Sequence, residues 1–276
     1  MRCTLLRSLD RCIYCGDTDG LSDEHIVPAG LNGQYVLENA SCERCRVEIG
    51  RFEGRYLNSI RPFRDAHRLG AGRQKARRQT APLIATIDGK PQLVRLPFKD
   101  HPNVAELAVF RRAGVLARPY SDSSLQREGD PVQIGFGPNP LDVARRLGAS
   151  EVGFVQNPHD EDFARMLAKI AYGHAVGRLG LDAFSRVTVL PAILGTASDI
   201  GRWVGTSRRS IGSAADPSVI HRLRLRLSED PWHPAVHGLV VLFANAPSPE
   251  YEVVIGLLKP GAQIPGEFVA EAAGSR

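Results

Sequence analysis

Two pairs of cysteines with the same spacing lie near the start of the chain and bracket a short acidic run that ends in a histidine. The pairs are Cys12 with Cys15 and Cys42 with Cys45. Each two-residue spacer allows a tight turn that directs both thiols towards one point, so the four thiols suit one tetrahedral zinc ion. Four thiolates leave no ligand position open for a substrate. We therefore expect this zinc to be structural, and the segment between the pairs to be held at both ends.

Asp23, Glu24 and His25 are the most reactive side chains in that segment. Hydrolysis of a phosphodiester needs a base that deprotonates water and a divalent cation that absorbs charge. Histidine, with an ordinary pKa of about 6.5, is partly neutral at cellular pH and can accept a proton. Neighbours in a regular strand point to opposite faces, so Glu24 shares a site with His25 only if the chain bends there. If the strand stays regular, Asp23 becomes the candidate cation ligand.

In this order the motifs resemble the HNH endonucleases, the zinc-stapled branch of the ββα-metal (His-Me finger) nucleases. The matching features are both cysteine pairs, the run over 23–28, Asn39, and a predicted helix after Cys45, and they cover roughly the first fifth of the chain. The resemblance implies that His25 is the general base. It also implies that Glu24 binds a catalytic Mg²⁺ or Mn²⁺ and that Asn39 positions the histidine loop.

One position departs from the family pattern. The family usually places histidine or asparagine on the helix shortly after the last cysteine, whereas here Arg46 follows Cys45 and cannot ligate a cation. Glu53 lies two helical turns beyond Arg46 on the same face, so it can offer an oxygen from the expected side. We predict Glu53 as the further cation ligand, with Glu48 as the alternative.

Charge favours an acidic partner. The formal net charge is +5 and the pI about 9.1, and lysine occurs at only five positions against many arginines. Arginine suits phosphate contacts, although a GC-rich genome produces the same composition, and both explanations stay open. We expect DNA as the partner, with RNA less favoured, no membrane association, and a cytoplasmic location; homo-oligomer formation is left open. The arginines predicted to contact nucleic acid are Arg46, Arg51, Arg55, Arg61 and Arg64.

The expected fold class is α+β. Residues 1–58 form a zinc-stapled ββα-metal nuclease module, 59–80 a basic linker or arm, and 81–276 a larger α+β domain with an antiparallel sheet. Periodicity predicts helices over 46–57, 140–147 and 160–179, the last with His174 in the core. Alternation predicts a hairpin over 83–96 and strands over 221–227, 239–244 and 251–258.

The motifs lead to one expected function and one alternative. The first is a divalent-metal-dependent endonuclease with a C-terminal recognition or sensor domain, acting in a setting such as phage defence or restriction. The alternative is a zinc-knuckle protein that binds nucleic acid without hydrolysing it, with the run over 23–25 serving as a surface turn.

Overall fold

A computed structural model describes residues 3–70, 80–117, 124–135, 137–154, 159–212, 218–228, 235–261 and 270–273. The helices are α1 Glu43–Ser59, α2 Arg61–Ala66, α3 Pro140–Leu147, α4 Asp160–Leu179, α5 Leu190–Ile193 and α6 Ile200–Trp203. The strands are β1 Thr4–Ser8, β2 Leu21–His25, β3 Tyr35–Cys42, β4 Thr80–Ile87, β5 Lys90–Pro97, β6 Val104–Leu107, β7 Val132–Gly135, β8 Glu151–Phe154, β9 Phe184–Val187, β10 Val204–Ile211, β11 Val219–Leu227, β12 Ala235–Leu242, β13 Ser248–Leu258 and β14 Ala270–Ala273.

The N-terminal elements form an antiparallel hairpin followed directly by a helix. β2 pairs with β3 antiparallel, β1 joins β3 in parallel, and α1 begins at the residue after Cys42. The buried face of α1 carries Ile49, Phe52 and Tyr56, so the helix predicted from their spacing is confirmed with longer bounds.

α4 is the central helix of the molecule. Every residue from Asp162 to Gly177 is buried, and the helix predicted over 160–179 is confirmed. One side of α4 packs on α1 and β1 and another on β12 and β13. The helix approaches the sheet closely at Gly238, where a Cβ atom would lie 2.6 Å from the Cβ of Ala171. His174 is buried in this helix as predicted, and burial lowers its pKa to about 3.

The largest sheet is antiparallel, as expected. Its order is β10-β13-β12-β11-β14, and β9 also pairs with β13. In β11 the side chains of Leu223 and Leu225 face the core, and the arginines alternate with them. Two of these arginines form ion pairs across the outer face of the sheet, Arg224 with Glu250 and Arg226 with Glu252.

The central region contains a second, smaller sheet. β4 and β5 form the predicted hairpin, with Asp88 (φ 51°) and Gly89 (φ 72°) in the left-handed conformation that a tight turn requires. Asn139 caps α3 by accepting a hydrogen bond from the Leu141 amide at 2.8 Å. The mixed α/β composition and the antiparallel sheets agree with the expected class.

The segment predicted as a basic linker or arm is partly helical. α2 lies within it, and residues 71–79 fall outside the described part of the chain. Apolar residues of α1 and α2, such as Phe52 and Phe63, belong to the same core cluster as Phe163 and Tyr251. The core is therefore continuous across the boundary predicted near residue 58. Among the described helices, none is both long enough and apolar enough to cross a membrane.

Candidate metal centre and acidic cluster

The four predicted zinc ligands meet at one end of the hairpin and α1. The sulfur atoms of Cys12, Cys15, Cys42 and Cys45 all lie within 4.8 Å of one another, and those of Cys15 and Cys42 are 3.6 Å apart. Sulfurs around a tetrahedral zinc with bonds of 2.3 Å are about 3.8 Å apart, so the cluster has the right size for this ion. The four cysteines form no disulfide.

The electrostatics of the cysteine cluster also fit a cation. Burial raises the pKa of the Cys12 thiol, and burial together with the neighbouring thiols raises the pKa of Cys45. Burial acts in the same direction on Cys15, but hydrogen bonds with the Asp17 backbone and Arg44 lower its pKa to about 7. The two buried thiols, Cys12 and Cys45, therefore resist ionisation unless a positive charge lies among them. A bound zinc ion would supply that charge and hold the sulfurs as thiolates.

The first cysteine turn is also held by the central helix. The hydroxyl of Tyr172 on α4 donates a hydrogen bond of 2.5 Å to the carbonyl oxygen of Ile13, which lies between Cys12 and Cys15. Tyr172 is 1% exposed, so this bond is shielded from water. The cysteine cluster is therefore tied to an element that follows it by more than a hundred residues.

A second cluster lies between β2, α1 and α4, and its lysine was not expected from the sequence. The ammonium of Lys169 lies 2.6 Å from Glu24 Oε1 and 3.0 Å from Glu53 Oε1. It also donates a hydrogen bond to the carbonyl oxygen of His25 and lies 3.4 Å from that of Ile26. The two acids predicted to bind a catalytic cation thus converge on one point, and a lysine occupies it.

Burial controls the ionisation of this cluster. Burial raises the pKa of Glu53, and Glu24 raises it further, while Lys169 acts in the opposite direction. Burial by itself lowers the pKa of Lys169, but Glu24 and Glu53 outweigh it, so the net pKa lies above the ordinary value. The ammonium therefore stays charged at neutral pH and is the counter-charge of the two acids.

The fit of a divalent cation can be judged from these contacts. Two carboxylate oxygens and two carbonyl oxygens are the donors that Mg²⁺ and Mn²⁺ prefer. However, the Lys169 nitrogen is already within 3.0 Å of both carboxylates, and its side chain is 1% exposed. As the cluster stands, a divalent cation does not fit between Glu24 and Glu53.

The predicted base lies beside the cluster. The His25 side chain is about half buried and forms a hydrogen bond with the Gly33 backbone. Its Nδ1 atom is shielded from solvent and has no hydrogen-bond partner among the described residues. Burial and the charge of Lys169 lower its pKa below the ordinary value, while Glu24 acts in the opposite direction. His25 is therefore neutral at pH 7 and can accept a proton.

A register shift decides which acid faces α4. The pairing of β2 with β3 is irregular between Ser22 and Glu24, and Asn39 on β3 adopts a left-handed conformation with φ 52°. Glu24 is 6% exposed and points to α4, whereas Asp23 is exposed and accepts a hydrogen bond from the Asn39 amide at 3.3 Å. The structure thus brings together Glu24 and Glu53 and leaves Asp23 and Asn39 at the surface.

Residues other than Asn39 hold the loop between β2 and β3. Arg64 of α2 donates hydrogen bonds to the carbonyl oxygens of Gly30 at 2.8 Å and Leu57 at 3.1 Å. His221 of β11 contacts the Leu31 carbonyl oxygen through Nε2 at 2.7 Å. The loop that follows His25 is therefore fixed from α2 and from the large sheet.

The five arginines predicted to contact nucleic acid all have partners within the chain. Two of them, Arg46 and Arg51, pair with acids one helical turn earlier on the exposed face of α1. Arg55 forms a two-bond ion pair with Asp162, and Arg61 lies 3.5 Å from Asp65. Arg64 has the loop carbonyl partners described above. Nucleic-acid contact by these arginines stays a prediction.

A cavity of about 400 Å³ lies between α1, α2 and the β4–β5 hairpin. Arg55, Arg61 and Arg95 line it together with Phe98 and the acid Asp65. Three of its lining residues are thus arginines, against one acid. Guanidinium groups beside an aromatic ring suit a phosphate and an unpaired base.

Comparison with known proteins adds no assignment, because no family model, curated protein or solved structure matches this chain.

Lys169, Tyr172 and His221 are the site residues that the sequence did not reveal. One signal for Lys169 was present: it is one of five lysines and stands inside a stretch of α4 that is otherwise apolar. A charged residue at such a position is almost always paired. Its partners could not be identified, because they lie more than a hundred residues earlier.

Proposed function

We propose that the chain is an HNH-like endonuclease that hydrolyses phosphodiester bonds, mainly of DNA, with residues 81–276 recognising the substrate or regulating cleavage. The observation that carries the proposal is the convergence of Glu24 and Glu53 beside His25, on a hairpin and helix with a four-cysteine cluster at one end. Such a scaffold places an imidazole, the base that phosphodiester hydrolysis needs, next to two acids of the type that hold a divalent cation.

His25 is the group proposed to act on water. It is partly exposed, and burial and Lys169 keep its pKa low enough for the neutral form at pH 7. A neutral imidazole takes a proton from water as the water attacks phosphorus. The divalent cation that the resemblance implies does not fit between Glu24 and Glu53 while Lys169 contacts both, so no step is assigned to it.

Lys169 also favours a second candidate function. An ammonium that neutralises both acids is the arrangement expected of a structural ion-pair cluster. In that case the module is a zinc-stapled platform that binds nucleic acid without cutting it. The cavity lined by Arg55, Arg61 and Arg95 is the candidate contact surface.

Cleavage and binding assays on the full chain separate the two functions. Supercoiled plasmid DNA and a single-stranded RNA are incubated with the zinc-loaded protein in Mg²⁺, in Mn²⁺ and in EDTA. The endonuclease proposal expects cleavage of DNA that EDTA stops and that His25→Ala lowers by about 100-fold or more. His67→Ala is the matched control, since His67 ends α2 outside the cluster, and it should cleave like the unmodified chain.

Two results would contradict the endonuclease proposal. Cleavage that survives His25→Ala at the original rate would remove His25 as the base. Salt-dependent DNA binding with no cut in any metal would favour the binding platform instead.

A further inference from the structure

The Lys169 ammonium has the ligand environment of a bound cation. Its contacts are the carboxylates of Glu24 and Glu53 and the carbonyl oxygens of His25 and Ile26. All four are oxygens, and they come from β2, the start of the following loop, and α1. These are also the ligand types that a hard divalent cation selects.

Two cations cannot share these acids. A divalent ion bound to Glu24 and Glu53 would lie within a few ångströms of the ammonium, and the cluster is buried, so water would screen the repulsion poorly. The two carboxylates together carry at most two negative charges, against three positive charges for the ammonium and the ion. Occupation by Lys169 and occupation by a divalent ion are therefore mutually exclusive.

Lys169 is a buried lysine whose side chain cannot move into solvent by a change of rotamer alone. Its side chain is 1% exposed, and its neighbours along α4 from Asp162 to Gly177 are all buried. Tyr172, one turn further along, anchors the same helix to the Ile13 carbonyl. Withdrawal of the ammonium therefore requires α4 to shift relative to β2.

We propose that Lys169 is the resident cation of this site and that a divalent ion binds Glu24 and Glu53 only when Lys169 is removed or withdrawn. The inference rests on the proposed function only in taking Glu24 and Glu53 as the acids that would bind a divalent cation. It adds that α4, from the larger part of the chain, controls access of metal to the module.

Manganese binding tests this without measuring cleavage. The zinc-loaded full chain is titrated with Mn²⁺, and free Mn²⁺ is followed by electron paramagnetic resonance. Mn²⁺ prefers oxygen donors and leaves the thiolate-bound zinc in place. The unmodified chain should show no stoichiometric site below the millimolar range. Lys169→Met, which keeps the length of the side chain and removes its charge, should bind one Mn²⁺ about 10- to 1000-fold more tightly, the range by which a neighbouring charge shifts proton binding.

The matched control removes the negative charges as well. Lys169→Met combined with Glu24→Gln and Glu53→Gln should fold and should bind no Mn²⁺ at this site. In Lys169→Met alone the two acids are left without a counter-charge, so Mn²⁺ should raise its melting temperature and leave that of the triple variant unchanged.

Each result bears on the inference. A tight Mn²⁺ site in the unmodified chain that Glu24→Gln abolishes would overturn it, as would failure of Lys169→Met to gain a site. If Lys169→Met is unfolded without metal, refolding by Mn²⁺ supports the inference and failure to refold contradicts it. The manganese measurements do not depend on cleavage. If the plasmid assay contradicts the endonuclease proposal, the inference about Lys169 can still hold, and the reverse is also true.

Discussion

His221 on β11 is joined to Leu31 in the loop after β2 by a contact of 2.7 Å between Nε2 and the carbonyl oxygen. Because a carbonyl can only accept, Nε2 carries the proton and donates it. The Nδ1 atom has no partner among the described residues, and the side chain is fully buried. A residue near the end of the chain therefore fixes the loop that follows the predicted base.

This contact predicts a pH dependence of stability. Burial lowers the pKa of His221 to about 4, from the ordinary 6.5. Below pH 6.5 the unfolded chain binds a proton that the folded chain refuses, so stability is lost as the pH falls from 6.5 towards 4. The slope for this histidine approaches about 1.4 kcal/mol per pH unit well below pH 6.5 and is about half of that at pH 6.5.

Urea unfolding between pH 7 and 5 measures that slope, with His221→Gln as the comparison, since glutamine can still donate to Leu31. Between pH 7 and 5 the variant should lose about 1.8 kcal/mol less stability than the unmodified chain. The zinc centre and buried His174 are common to both proteins, so the difference reports His221. Equal slopes would contradict the prediction.

The cysteine cluster predicts one zinc ion per chain. Cys42→Ser removes a buried ligand and should lower zinc content to near zero and destabilise the N-terminal module, because binding of structural zinc supplies about 10 kcal/mol or more of folding free energy. Zinc is counted by plasma mass spectrometry and folding by circular dichroism.

Cys3 provides the control for that measurement. It is exposed and stands outside the cluster, so Cys3→Ser should retain both zinc and stability. Zinc retained by Cys42→Ser at the original stoichiometry would show that the ion is held elsewhere.

Arg64 is predicted to act on stability through the loop. Arg64→Ala leaves the carbonyl oxygens of Gly30 and Leu57 without their charged donor and should cost about 2–3 kcal/mol. Arg61→Ala removes a half-exposed ion pair on the same helix and should cost less than about 1 kcal/mol. Guanidinium denaturation of both variants measures the difference, and equal losses would argue against the loop contact.

Tyr172 is predicted to support the zinc centre. Tyr172→Phe preserves packing and removes only the hydrogen bond to the Ile13 carbonyl, so it should cost about 1–2 kcal/mol because that buried acceptor loses its donor. Release of zinc to a chelator should also be faster, since the turn between Cys12 and Cys15 is less well held. Unchanged stability and release would show that the bond is not maintained in solution.

Local patterns predicted much of the fold. The spacing of Phe163, Leu167 and Ile170 identified α4, and alternation in β11 identified its strand, because such periodicities depend only on which face is buried. The cysteine spacing likewise identified the four residues that meet. Pairing between distant segments could not be predicted, because a single sequence contains no signal for which buried charge meets which.

The cluster shows that limit clearly. Glu24 and Glu53 were selected as a pair by their chemistry and by helical spacing, and they do converge. Lys169 lies between them because α4 packs on α1 and β2. This packing depends on the whole fold and not on any local pattern. The division near residue 58 likewise came from composition, which does not reveal that one core extends through both parts.

The order in which these groups leave the ribosome gives the Lys169 contact a further consequence. The lysine is made 144 residues after His25, whose carbonyl oxygen it binds. Until it emerges, both acids lack this counter-charge, so closure of the hairpin against α1 is opposed unless another cation binds them. We therefore expect the N-terminal module to reach its final packing only after Lys169 has been synthesised.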